Sequence, residues 1–186
     1  LRVLNLAGKV AKSDVTVLLM GETGTGKGLV AKAIHALSPR RERKFVHVNC
    51  AALPESILES ELFGHVKGSF TGAICDKKGL LAEADGGTVF LDEISKTSIV
   101  MQGKLLQFLD TMKVRPVGGN EMIPVNVRLI FASKCDLMTM VKDGGIELWF
   151  QLQGARSSHR DNPDLPTVRT WKINSKEWTT TAAADR

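Results

Sequence analysis

Short apolar runs alternate with segments of helical periodicity between residue 15 and about residue 134 of the chain. The apolar runs predict four buried strands, at residues 15–20, 45–49, 88–92 and 127–132. Between them, apolar side chains recur at helical spacing and predict helices over residues 27–37, 54–63 and 99–112. Strands that alternate with helices are typical of an α/β fold with a parallel sheet covered on both faces.

Two glycine-containing segments interrupt this alternation. Residues 64–78 include Gly64, Gly68 and Gly72 and predict a projecting loop, whereas residues 113–125 predict a β-hairpin around Gly118-Gly119-Asn120. After about Phe150 the pattern stops, and residues 151–186 show neither a helical nor a strand period. We therefore expect a core domain over residues 1–152 and an irregular or disordered tail over residues 153–186.

Composition is that of a globular protein and excludes several classes. The chain has 186 residues, 43% hydrophobic and 24% charged, with no apolar run approaching the roughly 20 residues that span a bilayer. Its first residues do not form a secretory signal, and its three cysteines are widely spaced, so we expect reduced thiols and a cytoplasmic location. A net charge of +5 permits an anionic ligand without indicating nucleic acid. The chain begins with Leu1 rather than Met, and we expect it to be a fragment or a domain.

The strongest chemical signal is a glycine-rich segment between the first predicted strand and the first predicted helix. Its residues are Gly21, Glu22, Thr23, Gly24, Thr25, Gly26, Lys27 and Gly28. Glycines allow backbone N–H groups to surround phosphate oxygens, and Lys27 would reach the β- and γ-phosphates. Gly28 occupies the position where the general motif has a Ser or Thr that binds magnesium. The alternative is a glycine-rich turn without a ligand, which the flanking strand and helix disfavour.

A second signal is the pair of acids that ends the strand predicted at residues 88–92. Beside a phosphate-binding loop, Asp92 would hold Mg²⁺ directly or through water, and Glu93 would orient and polarise the attacking water. Taken alone, two acids at a strand end are usually a solvated cap. Together with the loop at residues 21–28, they predict a site for ATP and Mg²⁺.

The sequence resembles the central AAA+ ATPase domain of bacterial enhancer-binding proteins, the NtrC-like activators of sigma-54 RNA polymerase. The resemblance covers about residues 3–152 and is carried by GETGTGK (21–27), FVHVNCAALPESILESELFGH (45–65), KGSFTGA (67–73), GGTVFLDEI (86–94) and VRPVGG (114–119). It implies a P-loop AAA+ three-layer sandwich with a mainly parallel sheet. It also implies a homo-oligomeric ring that hydrolyses ATP to remodel sigma-54 RNA polymerase, with no direct DNA contact in this part and no membrane.

The resemblance also implies roles for a loop and a polar residue. The family's GAFTGA loop, which contacts the sigma factor, corresponds to Gly68, Ser69, Phe70, Thr71, Gly72 and Ala73. From the residues alone, Phe70 is equally compatible with a protein contact and with a ring folded back into local packing. Asn49 corresponds to the residue that pairs with the catalytic glutamate as a switch, here Glu93, although an Asn that merely ends a strand is common.

The chain departs from the family pattern at several positions. Gly28 replaces a Glu, Lys134 stands where the family has a polar Asn, and Gly145 and Gln151 stand where it has two arginines that act across subunits. The family's fifth strand and helical lid are not recognised in residues 153–186, so the sheet is expected to be incomplete. An arginine of this kind contributes about 10³–10⁵ in rate to related NTPases.

These departures leave two functions open. The first is the ATP-hydrolysing domain of a sigma-54-dependent activator. The second is a hydrolysis-deficient nucleotide-binding interaction module, or a defective fragment of such an activator. A small P-loop kinase is disfavoured, because the sequence shows no signature for a second substrate and Phe70 and Thr71 would be unexplained.

Overall fold

A five-stranded parallel sheet forms the centre of the computed structural model, which describes residues 2–134 and 168–172, with side chains for residues 7–134. In chain order the strands are β1 (Thr16–Met20), β2 (Phe45–Asn49), β3 (Gly64–His65), β4 (Lys77–Lys78), β5 (Thr88–Asp92), β6 (Lys113–Val114), β7 (Ile123–Pro124), β8 (Arg128–Ser133) and β9 (Val168–Lys172). The central sheet has the order β2-β5-β8-β1-β9, and β3–β4 and β6–β7 form two small antiparallel pairs. The predicted hairpin is therefore confirmed.

Helices cover both faces of the sheet. They are α1 (Arg2–Ala11), α2 (Lys27–Ala36), α3 (Glu55–Phe63), α4 (Leu80–Glu83) and α5 (Ile99–Thr111), with a 3₁₀ helix at Ile94–Lys96. The described helices include none that is long and apolar enough to cross a membrane. The pattern of apolar residues predicted α2, α3 and α5, whereas it did not predict α1 or the short α4.

The side chains of each central strand alternate between two hydrophobic cores. On β1, Leu18 packs with α3, α4 and α5, whereas Leu19 packs with α1 and α2. Phe131 and Ile130 divide in the same way on β8. Because successive side chains of a strand point to opposite faces, a continuous apolar run is required wherever both faces are covered. The three-layer α/β sandwich expected from the sequence is confirmed.

The fifth strand corrects one expectation. The sequence pattern showed no strand in residues 153–186, yet β9 pairs in parallel with β1, with Thr16 opposite Val168 and Met20 opposite Lys172. The five residues of β9, VRTWK, include two charged residues and no continuous apolar run, and the backbone hydrogen bonds of β9 depend on a partner that is distant in the sequence. The rest of that segment, and the expected absence of a lid, lie outside the described residues.

Two arginines connect the amino ends of the parallel strands to the neighbouring segments. Arg128, which is 1% exposed, donates hydrogen bonds to the carbonyl oxygens of Val10 and Ala11 at the end of α1, at 2.9 and 3.3 Å. Arg40 forms an ion pair with Asp14 at 2.8 Å. Burial lowers the pKa of Arg128. The candidate site lies at the opposite side of the sheet, at the carboxyl ends of the parallel strands.

Candidate nucleotide site

The glycine-rich loop lies between the end of β1 and the start of α2, as the sequence predicted. The N–H of Gly21 donates to the carbonyl oxygen of Ser133 at 3.1 Å, which ties the loop to the end of β8. Gly24 and Gly26 have φ values of 84° and 76°, a left-handed conformation that other residues rarely adopt. The Thr25 hydroxyl donates to the carbonyl oxygen of Glu22 at 2.7 Å. The loop therefore has the glycine-dependent turns that phosphate binding requires.

Lys27 begins α2 and folds back across this loop. Its ammonium donates to the carbonyl oxygens of Gly21 and Glu22, at 2.9 and 3.0 Å, and the residue is only 7% exposed. A buried ammonium must have hydrogen-bond acceptors, and the loop carbonyls supply them here. Phosphate oxygens are stronger, charged acceptors for the same donor. The Lys27 ammonium is therefore placed so that it could exchange its hydrogen bonds to the loop carbonyl oxygens for hydrogen bonds to phosphate oxygens.

Asp92 is the last residue of β5, and Glu93 follows it at the same edge of the sheet. One carboxylate oxygen of Asp92, Oδ1, accepts a hydrogen bond from the Glu93 N–H at 2.9 Å. Glu93 is in the left-handed region, with φ of 55°, which is uncommon for a residue other than glycine. Its Oε2 is buried without a hydrogen-bond partner among the described residues. A buried carboxylate oxygen without a donor indicates a place for a water or another donor group.

The glycine-rich loop, Asp92 and Glu93 together fit a nucleoside triphosphate with Mg²⁺. Strand β8 alone separates β5, which carries the acids, from β1, which carries the loop. The carboxyl ends of parallel strands are the usual place for ligands in open α/β sheets. Carboxylate oxygens such as those of Asp92 are the ligands that Mg²⁺ prefers, and Glu93 Oε2 is available for a hydrogen bond.

Asn49 lies at the end of β2, directly opposite Asp92 in the register of the two strands. Its side-chain oxygen accepts a hydrogen bond from the N–H of Ala51 at 2.9 Å. The part of the chain that the structure describes has no hydrogen bond between Asn49 and Glu93, so the switch pairing stays a prediction. The N–H of Cys50 donates to the carbonyl oxygen of Asp92 at 3.0 Å, and burial raises the pKa of the Cys50 thiol to about 12.

A separate loop connects β3 to β4 and is closed by its own backbone; it carries Gly68, Ser69, Phe70, Thr71, Gly72 and Ala73. The N–H of Gly68 donates to the carbonyl oxygen of Ala73 at 2.8 Å. At its base, the Val66 N–H donates to Val117 in the β6–β7 hairpin, at 3.1 Å. Gly118 has φ of 74°, and a Cβ there would lie 2.5 Å from the Cβ of Ser69. The loop is therefore seated on the hairpin.

Phe70 combines the two arrangements that the sequence left open. Its ring packs edge-on against the imidazole of His65, with 5.0 Å between ring centroids, and the residue is nevertheless 44% exposed. His65 Nδ1 is in turn hydrogen-bonded to the Ser60 hydroxyl of α3 at 2.7 Å. The ring is thus held at the surface with much of its apolar area exposed, which suits a contact with another protein.

Sequence reasoning missed one polar neighbour of Asp92. His47 precedes Asn49 by two residues on β2, and its Nε2 lies 3.9 Å from Asp92 Oδ2. The available signal was the period of two along a strand, which places His47 and Asn49 on one face. Of the other departures from the family pattern, Lys134 is exposed at the end of β8, and Gly145 and Gln151 lie outside the described residues.

The strand order, the glycine-rich loop after β1 and the two acids at the end of β5 define a P-loop NTPase fold. Residues 1–156 match the family described as the Sigma-54 interaction domain. The chain belongs to this family.

Two curated relatives show the extent of the similarity. The chain is 58% identical over 134 residues to the DNA-binding transcriptional activator HyfR of Escherichia coli, covering 72% of this chain and 20% of that protein. It is 52% identical over 185 residues to the Nif-specific regulatory protein of Azotobacter vinelandii, covering 95% of this chain and 35% of that protein. The chain therefore spans about a third of these relatives' length or less.

Solved structures of NtrX from Brucella abortus have the same fold. One superposes with a TM-score of 0.77 at 31% identity, covering 92% of this chain and 36% of NtrX. NtrX in complex with ATP gives a TM-score of 0.74 at 30% identity, over 93% of this chain and 36% of NtrX. NtrX has also been solved with ADP.

Proposed function

We propose that this chain is the ATP-binding domain of a sigma-54-dependent transcription activator, which uses ATP hydrolysis to remodel sigma-54 RNA polymerase. The observation that carries the proposal is the position of the glycine-rich loop and of the two acids at one edge of the sheet. The family match and the similarity to NtrX, which was solved with ATP, support it. An exposed aromatic on a separate loop supplies the surface for a protein partner.

Each residue of the site has a distinct part in this proposal. The backbone of residues 21–28 and the Lys27 ammonium bind the phosphates, and Asp92 holds Mg²⁺. Bound with ATP, Mg²⁺ neutralises charge that develops on the β- and γ-phosphate oxygens. Glu93 orients and polarises the attacking water, for which its buried Oε2 has no competing partner among the described residues.

Coupling to the partner rests on two further residues. Asn49 is opposite Asp92 and precedes the segment that leads into α3, so it can relay the state of the site to that helix. Phe70 and Thr71 would contact the sigma-54 factor. We further propose that the active form is a homo-oligomeric ring, in which the moving loops of several copies act together.

The second candidate, a hydrolysis-deficient nucleotide-binding module, is favoured by specific departures. Gly28 offers no oxygen to the metal, and the two arginines that would act across subunits are replaced by Gly145 and Gln151. Such a chain would bind ATP without turning it over, and it would act through the Phe70 surface alone.

One experiment separates these candidates. Magnesium-dependent ATP binding and phosphate release are measured at increasing concentrations of the chain. Turnover that rises with concentration and is abolished in Glu93→Gln supports the ATPase, whereas binding without turnover supports the second candidate. Glu42→Gln is the matched control, because this exposed carboxylate pairs only with the neighbouring Arg41 among the described residues. Absence of ATP binding would contradict both.

The partner surface is tested by binding to purified sigma-54 factor in the presence of ATP. Phe70→Ala is expected to weaken this binding by about tenfold or more, as truncation of an aromatic anchor does. Ile74→Ala is the control, because Ile74 is 82% exposed on the same loop but lies outside residues 68–73. Equal effects of the two substitutions would contradict a specific role for Phe70.

A further inference from the structure

We propose that His47 and Asp92 form a two-ligand site for a divalent transition-metal ion, so that the nucleotide centre of this chain accepts Zn²⁺-like cations as well as Mg²⁺. The inference rests on the proposed function, because nucleotide oxygens and water complete the coordination. The residues that the structure describes contain no cluster of three or more metal-binding side chains, which is why a nucleotide must supply the other ligands.

The pairing of β2 with β5 brings the two side chains together. His47 is opposite Phe90 and Asn49 is opposite Asp92, so His47 and Asp92 are diagonal neighbours on one face of the sheet. Asp92 Oδ1 already accepts a hydrogen bond from the Glu93 N–H, whereas Oδ2 faces the imidazole. The carboxylate thus presents its second oxygen to a nitrogen on the adjacent strand.

The imidazole is held in place but remains accessible. Its ring packs on that of Phe90, with 4.8 Å between centroids, and the His47 side chain is 45% exposed. The described residues give its Nε2 no closer partner than Asp92 Oδ2, at 3.9 Å. A metal ligand needs a fixed orientation and an accessible donor atom, and the His47 ring has both.

The distance between the two atoms is close to the distance that one bridging ion requires. Zinc binds imidazole nitrogen at about 2.0–2.1 Å and carboxylate oxygen at about 2.0–2.2 Å, so the two bonds together reach about 4.0–4.3 Å. At the observed separation of 3.9 Å the N–Zn–O angle would be about 140°, whereas the tetrahedral angle that Zn²⁺ prefers brings the two atoms to about 3.4 Å. One ion can therefore contact both atoms after the two side chains approach each other by about 0.5 Å. A direct hydrogen bond, in contrast, needs a separation below about 3.2 Å.

The chemistry of the two ligands sets the preference among metals. Imidazole suits Zn²⁺, Ni²⁺ and similar ions, whereas Mg²⁺ takes oxygen ligands almost exclusively. Gly28 removes the side-chain oxygen that the general P-loop motif offers to Mg²⁺. A Cβ at Gly28 would lie 3.9 Å from the Phe90 ring, the same ring that supports His47. Phe90 therefore lies next to the position that lacks a side-chain oxygen and next to the side chain that offers a nitrogen.

The test uses the full chain with ADP, titrated with Zn²⁺ and separately with Mg²⁺. Ring nitrogens of the histidines are followed by NMR, and both affinities are measured by calorimetry. We expect Zn²⁺ to shift the ring resonances of His47, and Mg²⁺ to leave them in place. In His47→Gln the affinity for Zn²⁺ should fall about tenfold or more, with a change of less than about threefold for Mg²⁺.

His65→Gln is the matched control, because the ring of His65 contacts Ser60 and Phe70, and this substitution should leave both affinities unchanged. Unshifted His47 resonances at saturating Zn²⁺, or equal affinities in the two histidine variants, would overturn the inference. Failure of the proposed function shows differently, as an absence of ADP binding in every variant. The inference then falls with the proposed function, because nucleotide oxygens complete the coordination, whereas ADP binding with unshifted His47 resonances overturns the inference alone.

Discussion

The ammonium of Lys27 and the carbonyl oxygen of Gly21 are hydrogen-bonded at 2.9 Å across the loop that connects β1 to α2. The bond joins the two ends of the glycine-rich segment and keeps a positive charge within it. The loop carbonyl oxygens thus serve as acceptors for the ammonium of Lys27, and we expect phosphate oxygens to replace them.

Lys27→Met should weaken ATP and ADP binding by roughly 10- to 100-fold, the range expected for a lost charge-assisted hydrogen bond. Methionine retains the apolar stem, so the fold should persist. Isothermal calorimetry with both nucleotides measures the effect. Lys32→Met, on the exposed side of the same helix, serves as the control and should bind normally. Similar losses in the two variants would contradict a phosphate contact by Lys27.

Gly28→Ala should leave the chain folded and raise its free energy of unfolding by up to about 1 kcal/mol, since alanine is the better helix former. The new Cβ would have only an ordinary contact of 3.9 Å with the Phe90 ring. Gly64→Ala should have the opposite effect, because its φ is +82° and a Cβ would lie 2.4 Å from the carbonyl oxygen of Lys77. Urea unfolding of both variants checks the pair, and destabilisation by Gly28→Ala would refute the argument.

Arg128→Met should lower the free energy of unfolding by about 2–3 kcal/mol. The substitution removes two hydrogen bonds to the carbonyl oxygens of Val10 and Ala11 and leaves these acceptors at the end of α1 without their donor. Arg115→Met is the control, because Arg115 is exposed, and its effect should stay within about 0.5 kcal/mol. Thermal and urea denaturation followed by circular dichroism measure both. A neutral Arg128→Met would show that α1 does not need this cap.

Stability should fall in acid through Asp14. The hydrogen bond from Arg40 lowers the pKa of Asp14, and the positive charge of that guanidinium lowers it further by a smaller amount. A depressed carboxyl pKa stabilises the folded state at pH above the unfolded value of about 3.9, and this contribution is lost as the pH falls through the folded pKa. The Asp14 side chain is 59% exposed, so we expect less than about 1 kcal/mol.

The measurement compares unfolding of the wild-type chain and Asp14→Asn at pH 7 and near pH 3. The difference between the two proteins should be present at pH 7 and shrink in acid. A difference that stays constant across this range would show that the ion pair with Arg40 contributes nothing that depends on pH.

The local order of the sequence determined the position of the glycine-rich loop and of the acids Asp92 and Glu93, since both segments are contiguous and lie at strand ends. Periodicity likewise determined α2, α3, α5 and four strands of the parallel sheet, β1, β2, β5 and β8. The inner strands β1, β5 and β8 are the clearest, because both of their faces are buried and their apolar runs are unbroken. The resemblance based on these contiguous motifs was confirmed by the family match.

Only the tertiary structure decided what depends on pairing between distant segments. Strand β9 pairs with β1 although its sequence has no continuous apolar run, and a local pattern does not reveal such a distant partner. The register of β2 against β5 places His47 beside Asp92 and Asn49 opposite it, although more than 40 residues separate them. Arg128 is buried because two helix carbonyls accept its hydrogen bonds. Local propensity acts between neighbours in sequence, whereas strand register and hydrogen-bond satisfaction act between neighbours in space.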